Sequence, residues 1–497
     1  MALLLAMAAT CAGLARDAGA VGPSVDAERA RELTIGLDLD AARAVLAKAD
    51  TNNPEIGLER ARLALYDGDC DAAAAILAEP QVAQLDQDEF AGRYDAGLGD
   101  IARGCARTTA ATVLEEDKAH DIWIRFEDVA DRALMPLLVD TIVKARDSLT
   151  RDLGVDWPKP TRVVVVRDLR GLSDMTGLPY ESATTTGTVG IAKWGRVTLL
   201  SPRASQHGFA WRDTLAHELT HLAVTHASGD RAPLWLQEGL AKREEIRWRG
   251  PSPFDDRPSP ESVVAYGIEK HLDLPLDKLG PSIAMLPSAD QAMVAFAEVT
   301  SFVRYLAAQS GDQAVRQLLA ALRAGSKIDA ALSAATGADL KGWDGRWRAH
   351  LATLGAVPPA ALTFAATKDA VTMREKVRLA ELLIGRGHEN DAATELDAVS
   401  GAMLSDPNVR YLKARALEKT NADDARRALG EPAEVFMAYA PWWAIRGRLA
   451  SDPGERTTDF AEAIAQDPFD VDAACADPSS PLCEAAKANG APDVGRE

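Results

Sequence analysis

Positive charge is what this sequence has least to spare. Its 55 lysines and arginines stand against 74 aspartates and glutamates, a formal net charge of −19 at pH 7. A nucleic-acid binder needs a basic face for phosphates, so that class is excluded. Aromatic residues are scarce too, at 5 %, and alanine is abundant, which favours helices packed through small side chains. No stretch reaches the ~20 uninterrupted apolar residues of a membrane-spanning helix. There are five cysteines and no C-x-x-C, so the cysteines give no zinc-ribbon signal.

With 497 residues the chain is too long for one compact core, and several domains are expected. The first twenty residues, "MALLLAMAATCAGLARDAGA", resemble an export signal without its usual basic start, and Cys11 after Ala8-Ala9-Thr10 resembles a lipoprotein cleavage box. The expectation is a periplasmic or extracellular protein whose only membrane attachment is a lipid at Cys11. Cys475 and Cys483 bracket the short loop "CADPSSPLC", and Cys70 and Cys105 remain. In an oxidising compartment each pair can close as a disulfide; the alternative is four separate thiols.

The N-terminal part repeats itself. "DAARAVLA" begins at Asp40 and "DAAAAILA" at Asp71, close to the period of about 34 that marks tetratricopeptide-type helix pairs. The C-terminal part shows a similar period through "RLAELLIGRGHENDAATEL", "RYLKARALEK" and "WAIRGRLASD". Between them the pattern changes. A helix is expected from about 130 to 153, with Pro136 delaying or kinking its start. "TRVVVVRD" (161–168), "TGTVGIAKW" (186–194) and "GRVTLLSP" (195–202) read as strands.

Directly after these strands comes "TLAHELTHLAV", residues 214–224. On a helix, four residues turn the chain by about 400°, so His217 and His221 stack on one face and can present nitrogens to one ion. Glu218 sits about 100° further round, suited to hold a water on that ion rather than to bind it. Leu215, Leu219 and Leu222 form the opposite, buried side, and Asp213 or Thr214 would cap the helix.

A catalytic zinc needs a third protein ligand and an open position. His226 would point about 180° from His217 if the helix continues, and reads as surface or core. Glu238, in "PLWLQEGLAKREE", lies on a following amphipathic helix beside Gly239, which permits close helix approach. Glu244 and Glu245 belong to the charged run "KREEIRWR" and read as a solvated face.

"HELTH" followed by "WLQEGLA" resembles the gluzincin zinc metallopeptidases, most of all the peptidase MA-like domains fused to helical repeats. The resemblance covers about 118–356. It implies Zn2+ held by His217, His221 and Glu238, with Glu218 as general base, and an edge strand within "GTVGIAKWGRVTLLSP" that pairs with substrate backbone. Relatives often carry a downstream tyrosine for the developing oxyanion. Here the matching helix has Phe296, which leaves Tyr266, Tyr305 or His207 as substitutes.

The expected fold is α+β, a zincin-like catalytic domain of small mixed sheet, HExxH helix and helical subdomain between two α-helical repeat segments. Its divisions are a signal or lipoprotein segment at 1–20, helical repeats at 21–117, the peptidase domain at 118–356, and repeats with a tail at 357–497. The expected function is metal-assisted hydrolysis of peptide or protein substrates, with the repeats offering a surface for a protein partner. The alternatives are a repeat-based interaction scaffold that binds metal but cleaves little, and a helical scaffold with no metal.

Overall fold

The structure is a computed structural model that describes residues 24–90, 97–365 and 367–490. The signal-like segment and Cys11 lie outside the described residues. Among those described, no helix is long and apolar enough to cross a membrane.

The chain opens with helices α1 (Val25–Ile35), α2 (Leu39–Leu46), α3 (Pro54–Asp67), α4 (Cys70–Leu77), α5 (Pro80–Phe90) and α6 (Leu98–Ala110). The repeated alanine-rich stretches are α2 and α4. Each packs on the helix before or after it through residues such as Ala42, Leu46, Ala73 and Leu77. Cys70 and Cys105 are disulfide-bonded, tying α4 to α6 with a Cα–Cα distance of 5.7 Å.

A five-stranded sheet follows, in the order β1-β2-β3-β5-β4. Its strands are β1 (Val113–Asp117), β2 (Ile122–Phe126), β3 (Thr161–Val166), β4 (Gly190–Lys193) and β5 (Arg196–Leu200). The central pairings β2–β3 and β3–β5 are parallel, and the outer ones are antiparallel. A sheet covered on both faces by helices needs continuous apolar strands. β3 supplies four valines in succession, all buried.

Two boundaries differ from the sequence expectation. β1 joins the sheet before residue 118, because its backbone pairs with β2 from Val113 onward. Thr186, expected to open the strand over 186–194, instead ends the short helix Tyr180–Thr186, and the strand begins only at Gly190.

Helix α7 (Met135–Leu153) starts late as Pro136 requires, after a 3-10 turn, and packs on α10 (Trp211–Ser228). Two short helices, α8 (Leu169–Thr176) and α9 (Tyr180–Thr186), lie between β3 and β4. After α10 come α11 (Leu234–Glu244), α12 (Pro260–Lys270) and α13 (Ala289–Ser310), then helices through Leu354. Beyond that, three helical hairpins among the described residues pair Lys368–Gly385 with Glu389–Asp397, Pro407–Leu417 with Ala422–Leu429, and Ala440–Leu449 with Pro453–Gln466. A second disulfide joins Cys475 to Cys483.

One close contact positions the site. A Cβ added at Gly239 would lie 2.3 Å from Val303 Cγ2 and 2.7 Å from the Val299 carbonyl, so α11 rests directly on the backbone of α13. Only glycine permits that depth. Gly239→Ala is therefore expected to lower unfolding stability by about 1–3 kcal/mol through overpacking, read as a lower urea midpoint at unchanged m-value.

Candidate metal centre

Helix α10 buries Leu215, Leu219, Leu222, Ala223 and Val224 against the sheet and neighbouring helices. Its opposite side faces a cleft of about 580 Å³ between β4, α10 and α11, with Pro281–Met285 and Phe296 on the far wall. The helix begins at Trp211, earlier than expected, and Asp213 does not cap it. Asp213 instead accepts from Arg249 Nη2 at 2.7 Å and from Trp248 Nε1 at 3.0 Å.

His217 and His221 present their Nε2 atoms into the cleft, 3.2 Å apart. Glu238 reaches them from α11, with Oε2 3.5 Å from each Nε2. The three donor atoms lie within 4.8 Å of one another. Ligands about 2.05 Å from a tetrahedral zinc are separated by about 3.4 Å, so the donor set fits that ion.

The outer imidazole nitrogens are also held. His217 Nδ1 lies 3.1 Å from Glu245 Oε2, whose other oxygen accepts from Lys242 Nζ at 2.5 Å. His221 Nδ1 lies 3.4 Å from Gln237 Oε1. A carboxylate or amide oxygen opposite Nδ1 fixes the tautomer that leaves Nε2 free for a metal.

Glu218 leans the other way. Its Oε2 accepts the Ala192 N–H of β4 at 2.6 Å, and a Cβ at Gly190 would stand 3.1 Å from its Cγ. The edge strand and the second residue of the motif are thus in direct contact.

Charge in this buried space is unevenly spread. Burial opposes an imidazolium at His217, but the hydrogen bonds of Glu238 and Glu245 outweigh it and lift the pKa to about 10. His221 is also raised, against burial, chiefly by Glu238. Burial lifts the Glu218 carboxyl above its ordinary range, only partly opposed by the imidazoles. Glu245 falls to about 2 despite burial, because Lys242 and His217 favour its charge. Glu238 is held well below the usual carboxylate range, against burial, by the two histidines.

The sequence-stated substitutes for the oxyanion donor lie elsewhere. Tyr266 is buried on α12 and does not line the cleft. Tyr305 stacks on His350 at 4.7 Å and borders a separate hollow with Trp343 and Arg346. His207 meets the Tyr439 hydroxyl at 3.2 Å, on the C-terminal hairpins. Phe296 does stand at the cluster, its ring 6.3 Å from that of His217. His226 is turned away, its Nδ1 3.2 Å from the Gly36 carbonyl.

Sequence reasoning missed Glu245, taken for solvated. It sits one helical turn beyond Lys242 and two beyond Glu238, and that spacing was the signal. Glu244, its neighbour in the same run, is only 2 % exposed and pairs with Arg243 and Arg247.

A family model for the peptidase MA superfamily matches residues 141–353. The middle of the chain therefore carries a peptidase MA-like domain. No curated protein matches the chain.

Two outcomes follow from the outer hydrogen bonds and the charges. Glu245→Gln should weaken zinc binding by about 10- to 100-fold, measured by competition with a chromophoric chelator, while the circular dichroism spectrum stays as it is. At pH 7 His217 is below its pKa of about 10 and carries a proton that a metal must displace. Zinc affinity should therefore rise with pH across the neutral range. Titration calorimetry in two buffers of different ionisation enthalpy should register a net release of protons on zinc binding.

Proposed function

We propose that the chain is a zinc-dependent metallopeptidase of the gluzincin type. The observation that carries this reading is the convergence of His217 Nε2, His221 Nε2 and Glu238 Oε2 beside Glu218, at the exposed edge of a sheet. His217, His221 and Glu238 would hold the ion. When bound, zinc supplies Lewis-acid polarisation of a carbonyl and acidifies the water it binds.

Glu218 is the proton carrier in this reading. Its raised pKa suits a group that takes a proton from water and passes it to the leaving amine near neutral pH. β4 ends the sheet, so the outward backbone groups that Glu218 does not occupy would align an extended substrate by strand addition. The helical hairpins at both ends are read as tetratricopeptide-type repeats that also meet a protein partner. Export is proposed as well, supported by the two disulfides, with lipid anchoring at Cys11 part of the same reading.

Phe296 favours a second reading, a metal-binding interaction scaffold with little turnover, since the cleft wall beside His217 offers a ring edge where a hydroxyl would help. Cleavage of a peptide library with and without chelator separates the two.

Glu218→Gln is expected to keep its zinc and lose about 10²- to 10⁴-fold in turnover. His221→Ala should lose both metal and activity. Metal content by emission spectroscopy, set beside peptide hydrolysis, checks the pair; a fully active Glu218→Gln protein would contradict the assignment.

A further inference from the structure

The cleft continues past the histidines, along α10 to the turn that ends it. There Gly229 and Asp230 both adopt left-handed backbone, at φ 62° and 60°, and the Asp230 N–H donates to the Thr225 carbonyl at 2.9 Å. Left-handed backbone disfavours most side chains and is tolerated best by glycine, asparagine and aspartate. This turn sets Asp230 on the cleft wall beside Thr225 and Gln237.

The other carboxylates of the cleft are engaged. Glu218 accepts from Ala192, Glu238 faces both imidazoles, and Glu245 is shared by His217 and Lys242. Among the described residues, the Asp230 carboxylate has neither a hydrogen bond nor an ion pair. Its neighbour Arg231 turns outward instead, to Glu32 at 3.5 Å and the Arg323 carbonyl at 3.1 Å.

β4 leads toward the same end. Gly190 stands beside Thr214 and Glu218, and the strand runs on to a turn at Trp194-Gly195 that packs against Tyr66. That turn also meets Leu37, where a Cβ at Gly195 would lie 3.6 Å from Leu37 Cδ2, and a Cβ at the adjoining Gly36 would lie 3.5 Å from Gly229 Cα, so a peptide laid along β4 would run toward the Gly229-Asp230 turn. The net charge of −19 favours the approach of cationic over anionic peptides to the chain as a whole.

We infer, resting on the peptidase reading, that Asp230 is a specificity residue that receives a cationic group of the substrate. An ammonium or guanidinium from a lysine or arginine side chain, or a free α-amino group, supplies that chemistry. An accessible carboxylate without a partner discriminates between such a group and an uncharged isostere.

The test uses the zinc-loaded full chain and peptides in matched pairs, lysine against norleucine at one position, each with a free or an acetylated N-terminus. Within each protein the readout is the ratio of kcat/KM for the cationic and neutral members. The wild type should favour the cationic member by roughly tenfold. That ratio should fall to near one in Asp230→Asn, persist in Asp230→Glu, and invert toward glutamate-containing peptides in Asp230→Lys. Partial misfolding scales kcat/KM for both members alike, so the ratio reports the folded variant alone. Dependence on acetylation identifies the α-amino group as the source; indifference to it identifies the side chain. A wild-type ratio that survives in Asp230→Asn overturns the proposal and leaves the peptidase reading standing. If the wild type cleaves none of the peptides, that reading fails, and fluorescence anisotropy of the same labelled peptides decides for Asp230. A lysine preference lost in Asp230→Asn upholds the proposal; equal binding, or none, overturns it.

Discussion

Two imidazoles and three carboxylates share the floor of one cleft, and their mutual placement depends on how deeply helix α11 sits. Gly239 lets α11 rest on the backbone of α13, and this depth brings Glu238 to within 3.5 Å of both histidine Nε2 atoms. Like charges this close in a poorly solvated space repel strongly. Lys242 and protonated imidazole each offset part of the negative charge. A divalent cation among the three donors would replace that proton with a larger compensating charge, which is why an arrangement costly to the bare protein suits a metal.

Helix α10, which carries both histidines, is clamped at both ends by the flanking helical segments. At its start, the Phe209 N–H donates to the Gln466 carbonyl at 3.1 Å and Trp211 Nε1 to the Ile464 carbonyl at 3.3 Å. At its end, His226 meets the Gly36 carbonyl, and Arg323 bridges to Asp38. A site works only when its supporting elements fix it to a fraction of an ångström. The hairpins therefore buttress the centre. The buried Arg196 adds to this, joining β5 to the Leu65 carbonyl and to Cys105 of the N-terminal helices.

Much of the centre was legible because helical periodicity is strict. The four-residue spacing places His217 and His221 together whatever surrounds them, and Glu238 was reachable through the apolar face of Trp235, Leu236 and Leu240, all buried. Glu245 was not, because a charge run reads alike whether it faces water or a histidine; only tertiary packing decides. Asp213 misled for a related reason. A capping residue type lay at a plausible start, but Trp211 is packed under the C-terminal segment, and that long-range contact lets the helix begin earlier. The start of β4 moved because Thr186 closes a short helix and Gly187 caps it in left-handed backbone, which a strand does not run through. Tyr266, Tyr305 and His207 had no spacing to select them, and each is occupied by packing outside the cleft.

Phe296 bears on how fast such a centre would work, not on whether it works. Loss of one oxyanion donor typically slows an enzyme by about 10²- to 10³-fold. Enzymes as a class exceed the uncatalysed rate by about 10⁶-fold or more, so that deficit leaves a large acceleration in place. A missing Glu218, or a missing member of the His217, His221 and Glu238 set, would be different in kind, since the residues that move the proton or hold the ion would be gone. The sequence retains all four, and the structure sets His217, His221 and Glu238 around a common point with Glu218 beside them. The intact proton carrier and ligand set thus weigh for the proposed peptidase, slowed by a ring in place of a hydroxyl, more strongly than Phe296 weighs for a scaffold.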